Sequence, residues 1–200
     1  MLEFDPARTA VINIHWQHEV VSPDGAFGPL FAEQVTRHRV AAHAARVVSA
    51  VRSRGGLVVY TRTIHRPGYP DLIANTPLFA MISETQAFLG GAPKTEIIYE
   101  LAPGPGDVVV DQVRLTAFFG TELETVLRRR GVDTVLFTGV ATNLSVTGTV
   151  FEAINHGYQP VIVSDACTAA TDEAHQASLE TLGQLCQVMT TKEIVGQLSG

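Results

Sequence analysis

Thiols, basic charge and long apolar runs are all scarce in this chain, and each scarcity removes a class of function. Cys167 and Cys186 are the only cysteines in 200 residues. They are too few for the disulfide framework of a small secreted domain, so both are expected to be thiols. The formal net charge is −6 and the isoelectric point about 5.6, which leaves no electrostatic footprint for a phosphate backbone or an anionic membrane. The one dense basic run, Arg128 to Arg130, falls just before Gly131, where cations suit the C-terminal end of a helix. No apolar run reaches the roughly eighteen residues of a membrane span. Met1-Leu2-Glu3-Phe4-Asp5 has neither the basic flank nor the apolar stretch of a signal peptide. A soluble, cytoplasmic protein without nucleic-acid or membrane partners is expected.

What remains is a chain that is 46% hydrophobic, long enough for one sizeable core and short for two. A single domain over residues 1–200 is expected. Short β-branched runs alternate with longer stretches of helical period, the order of βαβ units around a parallel sheet. Strands are predicted at 10–16, 57–64, 107–112, 134–138, 158–164 and 187–190, and helices at 29–54, 77–88, 122–130, 145–156 and 172–185. The expected architecture is α/β, a three-layer α/β/α fold with a central, mostly parallel six-stranded sheet. Gly55-Gly56 and Gly131 mark helix ends, Thr121 with Glu124 has the form of a capping box, and Thr171 before Asp172 and Glu173 starts a helix. The stretch 65–106 is broken by Pro67, Pro70, Pro77, Pro93, Pro103 and Pro105. It is expected to hold one helix and to wall a pocket. No internal repeat or low-complexity tail is present.

In an open parallel sheet, ligands bind beyond the carboxyl ends of the strands. Four polar residues qualify: His15 closes the first strand, His65 follows the second, Gln112 closes the third and Ser145 follows the fourth. Alternation along the first strand places Val11, Asn13 and His15 on one face and Ala10, Ile12, Ile14 and Trp16 on the other. Asn13 is then either a satisfied core amide or a ligand contact. Ser145 sits where a strand passes through Gly139-Val140-Ala141-Thr142-Asn143-Leu144 into a helix, so it is either a helix-start hydrogen bonder or, with a base nearby, a nucleophile. Free backbone amides at that helix start could stabilise an oxyanion.

Thr9 to Gln17 resembles the first strand of the isochorismatase-like (cysteine hydrolase) superfamily, which ends in Asp-Met-Gln. Leu115-Thr116-Ala117-Phe118-Phe119-Gly120-Thr121-Glu122-Leu123 is similar to its Ser-Ala-Phe, Gly-Thr and Leu run, and Thr138 to Val146 resembles its Thr-Gly-Val, Thr-Asn, Cys-Val turn. Gly157-Tyr158 and Ser164-Asp165-Ala166-Cys167 extend the likeness over most of the chain. Amidase-type members use an Asp base, a Lys that stabilises and orients charge, and a Cys nucleophile. The resemblance places His15, Gln112 and Ser145 at those three positions. Thiolate chemistry is thereby excluded, since Ser has no accessible anion near neutral pH and Gln supplies no positive charge. Cys167 follows a different strand and is read as structural. The metal-binding members carry Asp-x-His after the second strand, whereas this chain has Thr63-Ile64-His65. His15, His18 and His65 alone make a poor ligand set, so neither metal nor cofactor is expected.

The replacements are chemically compatible with each other. Neutral imidazole can accept the Ser145 proton as the hydroxyl attacks, and Gln112 could orient substrate or water. On this reading Ser145 is the nucleophile, His15 the general base and then acid, and the Ala141 and Ser145 amides the oxyanion hole. No acid obviously orients His15, because Glu19 lies beyond the strand and Asp111 alternates away from Gln112. Two alternatives stand beside the hydrolase: a catalytically silent domain that binds a small ligand or serves an assembly, and acid-catalysed enol-ether cleavage with His15 as proton donor. Trp16, Phe27, His65, Tyr69, Phe79, Phe118 and Asn143 are the candidate substrate contacts, each of the aromatic ones with an ordinary core role as the alternative. The stretch 23–29, with Gly25 and Gly28, is a candidate mobile cover. Arg62 and Arg114 could meet a substrate carboxylate if they are not ion-paired or solvated. His175 resembles a recurring structural histidine. The resemblance implies a homodimer or homotetramer.

Overall fold

The β-branched runs form the sheet because their side chains are buried on both faces, as a parallel sheet covered by helices requires. A computed structural model describes residues 5–199. Met1 to Phe4, read above for a leader, and Gly200 lie outside them. The six strands are β1 (Thr9–Ile14), β2 (Leu57–Thr63), β3 (Val108–Gln112), β4 (Thr134–Val140), β5 (Gln159–Thr168) and β6 (Gln187–Met189), in the order β3-β2-β1-β4-β5-β6. Every adjacent pair is parallel. After β1 the chain builds outward through β2 and β3, then returns to the other side of β1 with β4. The β1/β4 boundary is therefore the point where strand order reverses and a ligand crevice is expected.

Helices α2 (Gly28–Arg37), α3 (Val40–Ser53) and α8 (Thr191–Ser199) contribute Phe31, Val35, Val47, Val51 and Ile194 to one apolar cluster. Helices α5 (Leu123–Arg129), α6 (Thr147–Asn155) and α7 (Asp172–Leu182) contribute Leu123, Leu127, Val150 and Leu182 to the cluster on the other face. A short helix α1 (His18–Val21) follows β1, and α4 (Pro77–Glu84) lies in the Pro-broken stretch. Among the described residues no helix is long and apolar enough to cross a membrane.

Several boundaries differ from the sequence reading for identifiable reasons. The predicted 29–54 helix is two helices, parted where Arg39 takes a left-handed conformation (φ 53°) with no Gly or Pro to mark it. Thr121 accepts from Leu123 N (3.2 Å), one residue short of a capping box, while Glu124 turns to His156 (3.0 Å). A reciprocal box does form at Thr190 and Glu193: Thr190 N donates to Glu193 Oε2 (2.7 Å) and Glu193 N to Thr190 Oγ1 (3.3 Å), opening α8, which the sequence reading lacked. Thr171 caps α7 as expected, accepting from Ala174 N. Gly55 and Gly131 end their helices at positive φ.

Two features at the middle of the sheet control what lies above it. Gly139 sits at φ +130° opposite Ile14, and a Cβ there would lie 2.2 Å from the Ile14 carbonyl oxygen. Only glycine permits that approach. One residue earlier, Thr138 Oγ1 donates to Asn13 Oδ1 (2.8 Å) and accepts from Trp16 Nε1 (3.3 Å), and Asn13 Nδ2 donates to Val59 O (3.0 Å). All three side chains are fully buried. Asn13 is thus a satisfied core amide that ties β1, β2 and β4 together.

Replacing Thr138 with Val is expected to leave Asn13 Oδ1 and Trp16 Nε1 without partners in a dry interior, costing about 2–4 kcal/mol. Thr138→Ser keeps the hydroxyl and should cost about 1 kcal/mol. Urea unfolding of the two variants checks this; equal losses would contradict it.

Candidate active site

β1 ends at Ile14, and the next residue leaves the strand with φ 55° while His15 N still donates to Thr61 O (3.2 Å). Side-chain alternation stops there. Trp16 consequently joins Val11 in the α2/α3 cluster, on the opposite face from the one alternation predicts. The same turn aims the His15 ring along the strand ends. Its Nε2 lies 3.1 Å from Ser145 Oγ, across 130 positions of sequence, and its Nδ1 lies 3.5 Å from Thr63 Oγ1.

Ser145 sits within a π-turn, Thr142–Val146, rather than in the first turn of α6 where the sequence reading put it. The turn is held from several sides. Leu144 N and Val146 N both donate to Ala141 O (3.0 and 3.2 Å), Thr149 Oγ1 donates to Ser145 O (2.6 Å), and Thr142 Oγ1 lies 2.8 Å from His175 Nδ1 on α7. His175 therefore anchors the turn from below. The Val140–Ala141 peptide bond is cis.

His15 and Ser145 lie at the floor of a cavity of about 60 Å³ whose walls include Val20, Phe27, Phe79, Phe88 and Leu144. Burial pushes the His15 pKa down to about 4, against a smaller opposing hydrogen bond from Gln17, so the ring is neutral near pH 7. Gln17 and Thr63, absent from the predicted site, support it. Gln17 Nε2 donates to Thr63 O (3.0 Å) and Thr95 O (2.9 Å), and its Oε1 accepts from Thr63 N (2.8 Å), which locks the end of β2 beside His15. Gln17 was visible only as a motif residue, and Thr63 only as the first residue of Thr63-Ile64-His65.

Among the described residues no carboxylate orients His15. Glu19 accepts from Ala26 N (2.9 Å), and Asp111 is held by both ends of the Arg62 guanidinium (2.9 and 3.1 Å). Gln112 is buried at the end of β3, but its Nε2 donates to Arg114 O (2.9 Å), its Oε1 has no partner, and it does not line the cavity.

Of the predicted substrate contacts, Phe27 lines the cavity and Phe79 faces it beside Arg114. The others lie elsewhere. Trp16 is wholly core. Phe118 stacks on His156 (4.9 Å) and Tyr158 (6.0 Å) in the opposite apolar cluster, because its strand-end loop runs down the α5/α6 face. Tyr69 donates its hydroxyl to Ala87 O (2.8 Å), and Asn143 is exposed. His65 is buried with Nδ1 3.2 Å from Asp71 Oδ1. The 23–29 stretch is fastened rather than loose, since Ala26 N and Phe27 N both bond Glu19, and a Cβ at Gly25 or Gly28 would strike backbone oxygen at 2.3 or 2.0 Å. Cys167 is buried with its thiol bonded to Phe137 O (3.4 Å) and its pKa pushed up to about 12 by burial. Among the described residues no cluster of three His, Cys, Asp or Glu side chains is arranged for a metal. His18 is engaged with Ser22 (2.9 Å).

Residues 9–194 match the family model described as Isochorismatase domain. The chain is 30% identical over 200 residues to the uncharacterized isochorismatase family protein YwoC of Bacillus subtilis (strain 168), covering 98% of this chain and 97% of that protein. A cysteine hydrolase from Pseudomonas syringae pv. phaseolicola 1448A superposes with a TM-score of 0.91 at 26% identity, over 100% of this chain and 96% of that one. The N-carbamoylsarcosine amidase of Thermoplasma acidophilum gives 0.75 at 25% identity, over 92% and 96%.

Because the folded pKa of His15 lies below its ordinary value of 6.5, the folded state binds fewer protons than the unfolded one. Stability from this group is therefore intact above pH 6.5 and lost as pH falls toward 4, by about 3 kcal/mol in all. NMR titration of the His15 ring is expected to show a midpoint near 4. A midpoint near 6.5 would contradict the desolvated site.

Proposed function

Because the chain belongs to the isochorismatase family, we propose that it is a hydrolase of a small molecule, cleaving an amide, ester or related C–N or C–O bond with Ser145 and His15 where amidase-type relatives use Cys and Asp. The carrying observation is the 3.1 Å contact of His15 Nε2 with Ser145 Oγ at the floor of an apolar cavity. Similarity to a cysteine hydrolase and to an amidase supports hydrolysis as the reaction class.

In this mechanism His15 carries its proton on Nδ1, facing Thr63 Oγ1, and Nε2 is bare. Ser145 Oγ attacks the substrate carbonyl as Nε2 takes its proton. The oxyanion is received by the Ala141 and Ser145 amides, both on residues that line the cavity. Collapse breaks the C–N or C–O bond, and the leaving group departs with the proton from Nε2. Water then repeats the sequence on the acyl-enzyme, with His15 again as base.

The same geometry limits the rate. A base with a pKa near 4 draws a hydroxyl proton weakly, since efficiency is best when the pKa lies near the working pH. An unoriented histidine forgoes a contribution that in Ser-His-Asp enzymes is worth roughly 10⁴-fold. Slow turnover, faster on esters than on amides, follows. Enol-ether cleavage with His15 as acid is disfavoured, because at pH 7 about one imidazole in a thousand would be protonated. A second reading, a catalytically silent ligand-binding domain, is favoured by Gln112, whose amide is engaged with Arg114 O and does not reach the cavity.

With a panel of short amides and esters, Ser145→Ala and His15→Ala are each expected to lower kcat by about 10³-fold or more. A fluorophosphonate probe should add its mass to wild-type protein and not to Ser145→Ala. The pH profile should fall through an apparent pKa near 4 and stay level to pH 7. Turnover indifferent to both substitutions, or none at all with no labelling, would overturn the hydrolase in favour of the silent domain.

A further inference from the structure

The cavity contains a single formal charge. Its walls are hydrocarbon apart from the Thr63 and Ser145 hydroxyls, the neutral His15 ring, and Arg114. The Arg114 guanidinium lies 4.1 Å above the Phe79 ring, with NH1 donating to Ile73 O (3.0 Å) and NH2 to Asn75 Oδ1 (3.1 Å). These partners are neutral, and among the described residues Arg114 makes no ion pair. Arg62 provides the contrast, since its charge is matched by Asp111 and Glu96.

Three tethers fix the plane of the guanidinium without using all of its five N–H donors or any of its charge. A cation held rigidly at an apolar wall is worth most to an anion that can leave water and accept the remaining donors in a fork. The cavity is small, so such an anion and a carbonyl at Ser145 would be joined by a short spacer.

We propose that Arg114 is the specificity determinant of this site and that the ligand is a short acyl compound with a carboxylate at one end and the scissile carbonyl at the other. This rests on the reading that the His15/Ser145 cavity is the substrate site. In that arrangement Arg114 seats the carboxylate, the aromatic walls cover the spacer, and Ser145 meets the carbonyl. The carboxylate takes no part in bond making, so its binding energy positions the reacting atoms.

Calorimetry with Ser145→Ala protein tests the proposal without requiring turnover, using succinamate and glutaramate against their neutral isosteres succinamide and glutaramide. One acid is expected to bind roughly tenfold or more tightly than its diamide. That preference should vanish in Ser145→Ala/Arg114→Met, and Arg114→Lys should recover part of it. Equal affinity for acid and diamide at both lengths, or a preference that survives loss of Arg114, overturns the proposal. If the Arg114→Met protein does not fold, the acid-against-diamide comparison in the parent protein still decides. Binding preference without turnover would sink the hydrolase reading and leave Arg114 standing as the carboxylate subsite of a binding domain. Turnover of neutral esters without acid preference would do the reverse.

Discussion

The constraint on which the site depends is the close approach of two strand backbones, β1 and β4. Gly139 in β4 lies against the backbone of Ile14 so tightly that a Cβ would be 2.2 Å from the Ile14 oxygen and 2.8 Å from its nitrogen. Beyond that contact each chain departs from regular structure at once. β1 turns at His15 with positive φ, and β4 runs through Ala141 into the π-turn. The pairing of β4 with β5 also slips between Phe137 and Gly139. Two irregular exits from one close approach are what set His15 beside Ser145. The rest of the site, from Gln17 at the end of β2 to His175 under the π-turn, holds these exits in place.

The buried floor produces competing effects. Desolvation keeps His15 neutral and able to accept a proton. It also weakens the ring as a base. An acidic residue at position 15 in the same burial would have its own pKa raised, which a cationic neighbour would offset. Here burial is the largest influence on the His15 ring, so an uncharged ring is the form the environment tolerates.

Much of this was legible before any coordinates. Alternating β-branched and helical segments foretold the layers and the six strands, and the strand-end rule brought forward His15, His65, Gln112 and Ser145, of which His15 and Ser145 meet at the cavity. The Asn13 and Cys167 side chains are structural, in line with the plainer reading of each. What escaped detection has physical reasons. The face occupied by Trp16 depends on a positive φ at His15 that no residue type announces. The division of 29–54 turns on Arg39 in a conformation that costs a non-glycine residue about 1–2 kcal/mol. Phe118 is aromatic and close in sequence to Arg114, but the loop carries it to the far side of the sheet. The Gln17 side chain bonds backbone atoms of Thr63 and Thr95, and backbone partners leave little trace in residue identity.

That Ser145 presents a hydroxyl and not a thiol at the cavity has a further consequence. Sulfenic acid formation, glutathione adducts and alkylation all begin from a thiolate. Here the two sulfur candidates are shielded: burial raises Cys167 to about 12 and Cys186 to about 11. Near neutral pH almost no thiolate is present anywhere in the fold. Peroxide or an electrophile that reacts through a thiolate has no target at position 145, so the cavity is insulated from the redox state of its surroundings.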